Sequence, residues 1–306
     1  MAGTEPRRRA PRRRVDGVLL LDKAAGPSSN QCLGRAKWLF GAAKAGHTGT
    51  LDPFATGLLP VAFGEATKFS QGLLDADKTY AATMRLGIVT STGDPEGEVL
   101  ARAPVEADAA AVAAVLARFR GESEQVPPMH SALKRDGRPL YEYARAGLTL
   151  ERAPRRIRIE SIELLAFDGL TARFRVRCSK GTYVRTLAED IGRALGCGAH
   201  LAALRREAVG ALDVASARTL DAIEAMPAAT RDDLLLPVDA LVADLPRVCL
   251  SEGEADRLRH GQAVARPERG PGAGEPARAY DAHGRFLGLV IGSADALRPL
   301  RLRGAD

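Results

Sequence analysis

The sequence contains few of the residues from which metal centres and disulfide frameworks are built. It has four cysteines and five histidines in 306 residues. Cys32, Cys178, Cys197 and Cys249 are widely spaced and form no Cys-x-x-Cys pair, and the histidines show no ligand spacing. We therefore expect no structural metal and no disulfide, and we expect a protein of the reducing cytoplasm.

Long apolar runs are also absent. No stretch approaches the ~18 consecutive apolar residues that a membrane-spanning helix needs. The first apolar stretch, residues 18–21, is enclosed by Asp16 and Asp22 and is much shorter than the apolar segment of a secretion signal. We therefore expect neither membrane insertion nor export.

Positive charge is concentrated at the amino end. The formal net charge is +6, and residues 1–14 contain six arginines and a single acid, Glu5, so the rest of the chain is close to neutral. Like charges repel and this segment has little apolar surface to bury, so we predict a disordered tail over residues 1–15. The charge permits a nucleic-acid partner without establishing one.

The most unusual stretch is residues 46–60, which reads GHTGTLDPFATGLLP. Its three glycines and two prolines argue against an ordinary helix. Its one carboxylate, Asp52, precedes Pro53, which favours an extended or turn backbone at Asp52. A lone Asp-Pro pair is usually a turn closed by an Asx hydrogen bond. The glycines on both sides favour a loop that fixes the direction of one carboxylate and leaves room for a ligand.

This stretch resembles, almost residue for residue, the catalytic loop of the TruB family, the bacterial synthases that form pseudouridine 55 in the T loop of tRNA. Further matches lie at residues 78–87, 179–192 and 204–206, and the resemblance covers about residues 16–306. It implies that Asp52 is the catalytic aspartate and that the substrate is the T stem-loop of tRNA. It also implies no cofactor, no obligate protein partner and a monomer.

The resemblance implies two further catalytic residues. Tyr80 is expected against the target uracil, although the pattern of its strand alone predicts a half-buried core tyrosine. Arg185 is expected to point at Asp52, where a planar guanidinium can hold both carboxylate oxygens. The alternative for Arg185 is an exposed bridge to Glu189, four residues further along the same helix.

Four residues are predicted to bind the substrate on the same basis: Lys23, His47, Tyr183 and Leu204. Lys23, taken alone, reads as a solvated charge at a strand end, and Ala24 follows it where the family normally has proline. His47 is expected to fill the space that the flipped base leaves, and its alternative is a structural loop histidine.

Hydrophobic periodicity predicts mixed secondary structure along the chain. Predicted strands lie at 17–23, 58–63, 78–87, 156–159 and 172–178, and predicted helices at about 30–40, 66–74, 106–120 and 184–195. In the last of these strands, Arg173, Arg175 and Arg177 share one face. That face is either solvated, with acidic partners across the strands, or a phosphate-binding surface; the pattern does not separate the two.

The domain organisation also follows from the resemblance. It implies an α+β pseudouridine synthase domain over residues 16–245, built on a large, mainly antiparallel sheet. An irregular segment at about 121–154 is similar to the family's insertion that grips the T arm. A small PUA-like β domain is expected over residues 248–306.

Two other functions fit parts of the pattern. A non-catalytic RNA-binding or RNA-folding protein would not need the intact loop, Tyr80 and Arg185 together. A pseudouridine synthase for another RNA would not need the insertion, although this argument rests on family analogy.

Overall fold

The computed structural model describes residues 12–268 and 270–304. The strands are β1 (Gly17–Lys23), β2 (Ala45–His47), β3 (Thr56–Phe63), β4 (Lys78–Leu86), β5 (Ile88–Thr90), β6 (Val99–Arg102), β7 (Gly121–Gln125), β8 (Lys134–Arg135), β9 (Arg138–Pro139), β10 (Arg155–Phe167), β11 (Thr171–Cys178), β12 (Ala199–Val209), β13 (Leu212–Asp213), β14 (Arg247–Cys249), β15 (Val264–Ala265), β16 (Pro276–Tyr280), β17 (Phe286–Gly292) and β18 (Ala296–Leu302). The α-helices are α1 (Ser29–Leu39), α2 (Ser70–Asp75), α3 (Ala109–Arg118), α4 (Leu140–Arg145), α5 (Val184–Ala194), α6 (Leu220–Ala225) and α7 (Glu252–Arg259).

A nine-stranded sheet forms the larger part of the molecule. Its strands follow the order β1-β3-β12-β4-β11-β10-β7, with β2 paired to β3 and β13 paired to β12. All of these pairs are antiparallel except the short parallel contact between β12 and β3. The predicted α+β class with a large, mainly antiparallel sheet is confirmed.

The sheet is covered on both faces, and β1 shows how the sequence encodes this. Leu19 and Leu21 point into the main core, whereas Val18 and Leu20 belong to a second core on the opposite face. A strand buried on both faces needs a continuous apolar run instead of an alternating one. Helices α1, α3 and α5 contribute their buried residues to the main core.

The C-terminal sheet has five strands in the order β14-β16-β17-β18-β15. This is the small β domain that the sequence predicted, and it packs against the larger sheet through the second core. Phe286 lies edge-on to Phe69 with ring centroids 5.1 Å apart, and it also contacts Tyr280 at 5.5 Å. The Tyr280 hydroxyl donates a hydrogen bond to Asp239 on the facing segment.

Two local predictions are corrected by the structure. The predicted helix over 66–74 is a 3-10 helix, Gly64–Phe69, followed by the short helix α2. The predicted helix over 106–120 is shorter, because Asp108 caps its start by accepting a hydrogen bond from the amide of Ala111.

Residues 12–15, which the tail prediction included, make specific contacts in the structure. Arg13 donates through Nε to the carbonyl of Phe40 at 3.1 Å and through a second nitrogen to Asp232 at 2.7 Å. Val15 is buried in the main core. The partners of these residues are distant in sequence, so the local charge pattern does not predict the contacts. Residues 1–11 of the predicted tail lie outside the described residues.

None of the helices in residues 12–268 and 270–304 has the length and apolar character that crossing a bilayer requires.

Phe286→Ala is expected to lower the free energy of unfolding by about 3–5 kcal/mol, because it leaves a cavity between the two sheets. Urea denaturation of the full chain measures this. Leu300→Ala is the control, because Leu300 is 52% exposed on the same C-terminal sheet, and it should change stability by less than about 0.5 kcal/mol. Equal losses in the two variants would show that the second core does not hold the sheets together.

Candidate active site

The loop between β2 and β3 carries Asp52, and a buried lysine fixes its backbone. The ammonium of Lys23 donates to the carbonyls of Ala24 at 3.0 Å, Pro53 at 3.0 Å and Ala55 at 2.7 Å. Lys23 is only 1% exposed, and these three bonds use all of its donors. The prediction that Lys23 binds substrate is therefore wrong: Lys23 positions the loop on both sides of Asp52.

Arg206 on β12 supports the same loop from the other end. Its Nε donates to the carbonyl of Leu58 at 2.7 Å, and its terminal nitrogens donate to Gly49 at 3.2 Å and to Thr50 at 3.4 Å. The side chain is fully buried. The sequence placed Arg206 in a matching motif but gave no role for it, because its acceptors are backbone atoms about 150 residues away.

Two small residues complete the support of the loop. The hydroxyl of Ser29 accepts from the Leu51 amide at 2.8 Å and donates to the Leu51 carbonyl at 2.9 Å. Gly57 has φ of +102°, and a Cβ there would lie 2.3 Å from the Arg206 carbonyl oxygen. Only glycine permits this approach of β3 to β12. The loop is thus fixed on either side of Asp52.

Arg185 lies beside Asp52, as the resemblance implied, and not on the helix surface beside Glu189. Its Nε is 3.0 Å from Oδ2 of Asp52, and the Arg185 side chain is 4% exposed whereas that of Asp52 is 35% exposed. The Nε–H is not directed at the oxygen, so the contact is an ion pair with poor hydrogen-bond geometry. The expected two-oxygen grip is absent.

The other guanidinium nitrogens of Arg185 bind elsewhere. One donates to the carbonyl of Thr92 at 3.2 Å and to Oδ2 of Asp94 at 3.3 Å. The other donates to the carbonyl of His130 at 2.5 Å. Asp94 is itself buried, so the guanidinium lies between two carboxylates. The sequence gave no sign of this role for Asp94, which reads there as an ordinary turn residue.

The ionisation of Asp52 reflects opposing influences. Burial raises the pKa of Asp52 above its usual value, the nearby Arg185 lowers it, and the second carboxylate, Asp94, raises it again. Lys23 lowers the pKa further, although less than Arg185 does. The balance is a raised pKa, so the arginine limits the effect of burial without removing it.

Two cavities meet at Asp52. The first, the Tyr80 cavity, has a volume of about 410 Å³, and its walls include Tyr80, Tyr183, Leu204 and Arg206. The structure therefore brings three predicted site residues around Asp52 and Arg185. Burial raises the pKa of Tyr80, so its phenol is protonated at neutral pH and offers an aromatic face.

The second cavity, the Lys134 cavity, has a volume of about 510 Å³. Its walls include Asn30, Glu96, Lys134 and Arg145. The predicted insertion borders both cavities, since Ser131 lines each of them. Within the described residues, no group of three His, Cys, Asp or Glu side chains is placed to hold a metal ion.

His47 lies at the end of β2, before the loop. Its Nε2 is 3.3 Å from Oδ1 of Asn30, which lines the Lys134 cavity. Burial lowers the pKa of His47, and the charge of Arg206 lowers it further, so the ring is neutral at neutral pH. Its role in filling the space of a flipped base stays a prediction.

The arginine face of β11 has acidic partners. Arg175 contacts Glu207 on β12 at 2.8 Å, and Arg177 contacts Glu160 on β10 at 2.9 Å. Of the two alternatives left open by the pattern, these cross-strand pairs favour the solvated face.

Comparison with known proteins matches nearly the whole chain to one family. Residues 37–184 match the model for the TruB family pseudouridylate synthase N-terminal domain. Residues 185–243 match that for the tRNA pseudouridylate synthase B C-terminal domain, and 246–302 that for the pseudouridine synthase II TruB C-terminal domain.

Individual relatives agree with these matches. A tRNA pseudouridine synthase B of Azoarcus sp. (strain BH72) is 59% identical, covering 96% of this chain and 97% of its own. That of Burkholderia lata is 60% identical, covering 97% and 92%. A solved Cbf5–Nop10–Gar1 complex is 27% identical with a TM-score of 0.72, covering 94% of this chain and 84% of the other. The chain therefore belongs to the TruB family of pseudouridine synthases.

Proposed function

We propose that this protein isomerises uridine 55 in the T loop of tRNA to pseudouridine. The observation that carries the proposal is the ion pair between Asp52 and Arg185 at the junction of two cavities. The names of the relatives in Azoarcus and Burkholderia supply the substrate class. We expect the protein to act as a monomer in the cytoplasm and to use no cofactor.

The reaction breaks the bond between ribose C1′ and uracil N1 and forms a bond between C1′ and C5. The hydrogen at C5 is lost as a proton and N1 gains one, so the product is an isomer and no redox partner is consumed. Asp52 acts either as the nucleophile at C1′ or as the base that removes a ribose proton. Both roles require the ionised carboxylate, which Arg185 favours by lowering the pKa of Asp52.

The target base lies within a folded arm of RNA, so it must be flipped out at a cost of a few kcal/mol. The Tyr80 cavity is suited to receive it, since it offers the aromatic ring of Tyr80 and the apolar side chain of Leu204 beside Asp52. Stacking on an aromatic ring replaces the contacts that a base loses when it leaves the helix. His47 then fills the vacated space in the RNA.

Contact with the T arm is assigned to the insertion over residues 121–154. In helix α4 and the preceding strand β9, Arg138 lies over the ring of Tyr143 at 4.9 Å, and Arg145 lies over that of Tyr141 at 5.4 Å. Such basic-aromatic pairs suit a surface that binds phosphates and bases. The C-terminal domain, residues 248–306, adds further RNA contacts in this proposal.

The proposal is tested by mapping pseudouridine in a tRNA transcript treated with the purified protein, and in tRNA from cells that lack it. Pseudouridine is expected at position 55 of the treated transcript. It is expected to be missing from position 55 of tRNA from the cells that lack the protein. Modification confined to another RNA would favour a different synthase, and RNA binding without any modification would favour an RNA-folding protein.

Asp52→Asn is expected to lower the single-turnover rate by orders of magnitude and to leave tRNA affinity nearly unchanged. The amide has almost the same shape as the carboxylate but is a poor nucleophile and base. Asp256→Asn is the control, because its side chain is 67% exposed on α7. Comparable turnover in Asp52→Asn and the wild type would remove the proposed mechanism.

Arg185→Lys is expected to slow turnover strongly while tRNA binding stays near normal. Lysine keeps one positive charge but cannot contact Asp52, Asp94 and the His130 carbonyl at once. Single-turnover rates at saturating enzyme, measured beside tRNA affinity, check this. Arg193→Lys is the control, because Arg193 is 75% exposed on the same helix. A wild-type rate in Arg185→Lys would leave Asp52 without its assigned partner.

Tyr80→Phe and Tyr80→Leu separate stacking from hydroxyl chemistry. If the ring serves as a platform, Tyr80→Phe should retain activity and Tyr80→Leu should lose the ~1–3 kcal/mol that stacking contributes. The raised pKa of Tyr80 argues against a phenolate base. An inactive Tyr80→Phe enzyme with normal tRNA affinity would instead assign proton transfer to the hydroxyl.

A further inference from the structure

Helix α5 carries Arg185, and its first turn has an unusual cap. Tyr183 occupies the N-cap position and makes no side-chain capping bond. The backbone of Tyr183 is held instead by a distant residue, Gln125, at the end of β7. Its Oε1 accepts from the Tyr183 amide at 2.7 Å, and its Nε2 donates to the Tyr183 carbonyl at 3.1 Å.

This pair of bonds fixes the backbone at the start of the helix. A primary amide matches the donor and the acceptor of a single residue, so it constrains both the position and the rotation of Tyr183. The same Tyr183 carbonyl accepts the first bond of the helix, from the amide of Leu187 at 3.0 Å. Gln125 is 5% exposed, so water does not compete readily for these bonds. Arg185 lies two residues further on, in the same first turn.

Gln125 also belongs to the first part of the insertion, since β7 opens residues 121–154. Residues 126–130 lead directly to His130, whose carbonyl accepts from the guanidinium of Arg185 at 2.5 Å. The insertion therefore contacts both the first turn of α5 and the end of the Arg185 side chain. A shift of residues 125–130 would therefore move the Tyr183 backbone and the Arg185 guanidinium together.

We propose that Gln125 is a positioning residue for catalysis, which aligns Arg185 with Asp52 and couples that alignment to the insertion. The inference rests on the proposed function. It adds Gln125, which lies outside both cavities, and it links the insertion to the ion pair between Asp52 and Arg185.

A displaced Arg185 would also change the ionisation of Asp52. The groups that face this carboxylate are two cations, one acid and two phenols: Arg185, Lys23, Asp94, Tyr80 and Tyr183. Arg185 lowers the pKa of Asp52 more than Lys23 does. A displaced Arg185 therefore raises that pKa further, so less of the carboxylate is ionised at a given acidic pH. The acidic limb of the rate profile then moves to higher pH.

Gln125→Met tests this, because methionine has a similar length and offers neither hydrogen bond. Single-turnover formation of pseudouridine in a tRNA transcript is measured across pH, together with tRNA affinity and urea denaturation. The rate is expected to fall about tenfold to a hundredfold, since misplacing a catalytic group by about 1 Å has effects of this size. The acidic limb should move to higher pH while tRNA affinity is kept. Gln71→Met, an exposed change on α2 outside both cavities, should match the wild type.

A double variant provides a second criterion. If Gln125 acts through Arg185, Gln125→Met should slow the Arg185→Lys enzyme much less than it slows the wild type. If Gln125→Met does not fold, Gln125→Asn keeps the amide on a shorter side chain and should show the same shift of the acidic limb in weaker form.

Three results would overturn the inference and leave the proposed function intact. A Gln125→Met enzyme with the wild-type rate and the wild-type acidic limb of the pH–rate profile would exclude a positioning role. A slower Gln125→Met enzyme whose acidic limb is unmoved, and whose only other change is lower stability, would exclude it as well. Full additivity with Arg185→Lys would show that Gln125 acts independently of that arginine. A wild-type protein that forms no pseudouridine in tRNA would instead overturn the proposed function, and this inference with it.

Discussion

In the proposed reaction Asp52 must stay ionised, and in its partly buried position this depends on the charges beside it. Burial raises the pKa of Asp52, and Arg185 is the largest influence in the opposite direction. Arg185 is itself buried, and removing a cation from water costs several kcal/mol unless its donors are satisfied. Asp94 and the carbonyls of Thr92 and His130 accept from its two terminal nitrogens, whereas its Nε has only the ion-pair contact with Asp52. The second carboxylate therefore has a cost, since it raises the pKa of Asp52, and a benefit, since it holds the cation in place.

The loop that carries Asp52 has a related problem, because an irregular segment cannot satisfy its carbonyls through a strand ladder. Two buried cations provide the donors instead. Lys23 binds the carbonyls of Pro53 and Ala55, and Arg206 binds those of Gly49 and Thr50. Each cation gains acceptors that replace water, and the loop gains fixed points on both sides of the carboxylate. Rigidity of this kind is what an oriented nucleophile or base requires.

Much of this was predictable from the sequence, and the exceptions have a common cause. The pairing of Arg185 with Asp52 followed from the resemblance, although helical spacing alone favoured Glu189. The role predicted for Lys23 was wrong because only contacts with solvent or with substrate were considered for its ammonium group. In the structure the ammonium group donates to backbone carbonyls. Asp94 and Gln125 were missed for the same reason: their partners are about 91 and 58 residues away along the chain. Local patterns report which residues are buried, but not which backbone atoms they meet.

The sheet brings the distant parts of the site together. Strand β12 lies between β3 and β4, and its Arg206 is paired with Gly57 on one side and with Tyr80 on the other. The same strand register thus places Arg206, which supports the loop, next to Tyr80, which forms the aromatic wall of the cavity. The pairing of β12 with β4 is irregular directly after Arg206, as is common where a strand must re-aim a side chain beside a site. A slip of one residue would turn the Arg206 side chain to the opposite face. The loop would then lose the two bonds that Arg206 donates to Gly49 and Thr50. The register that builds the fold therefore also holds Asp52 in position.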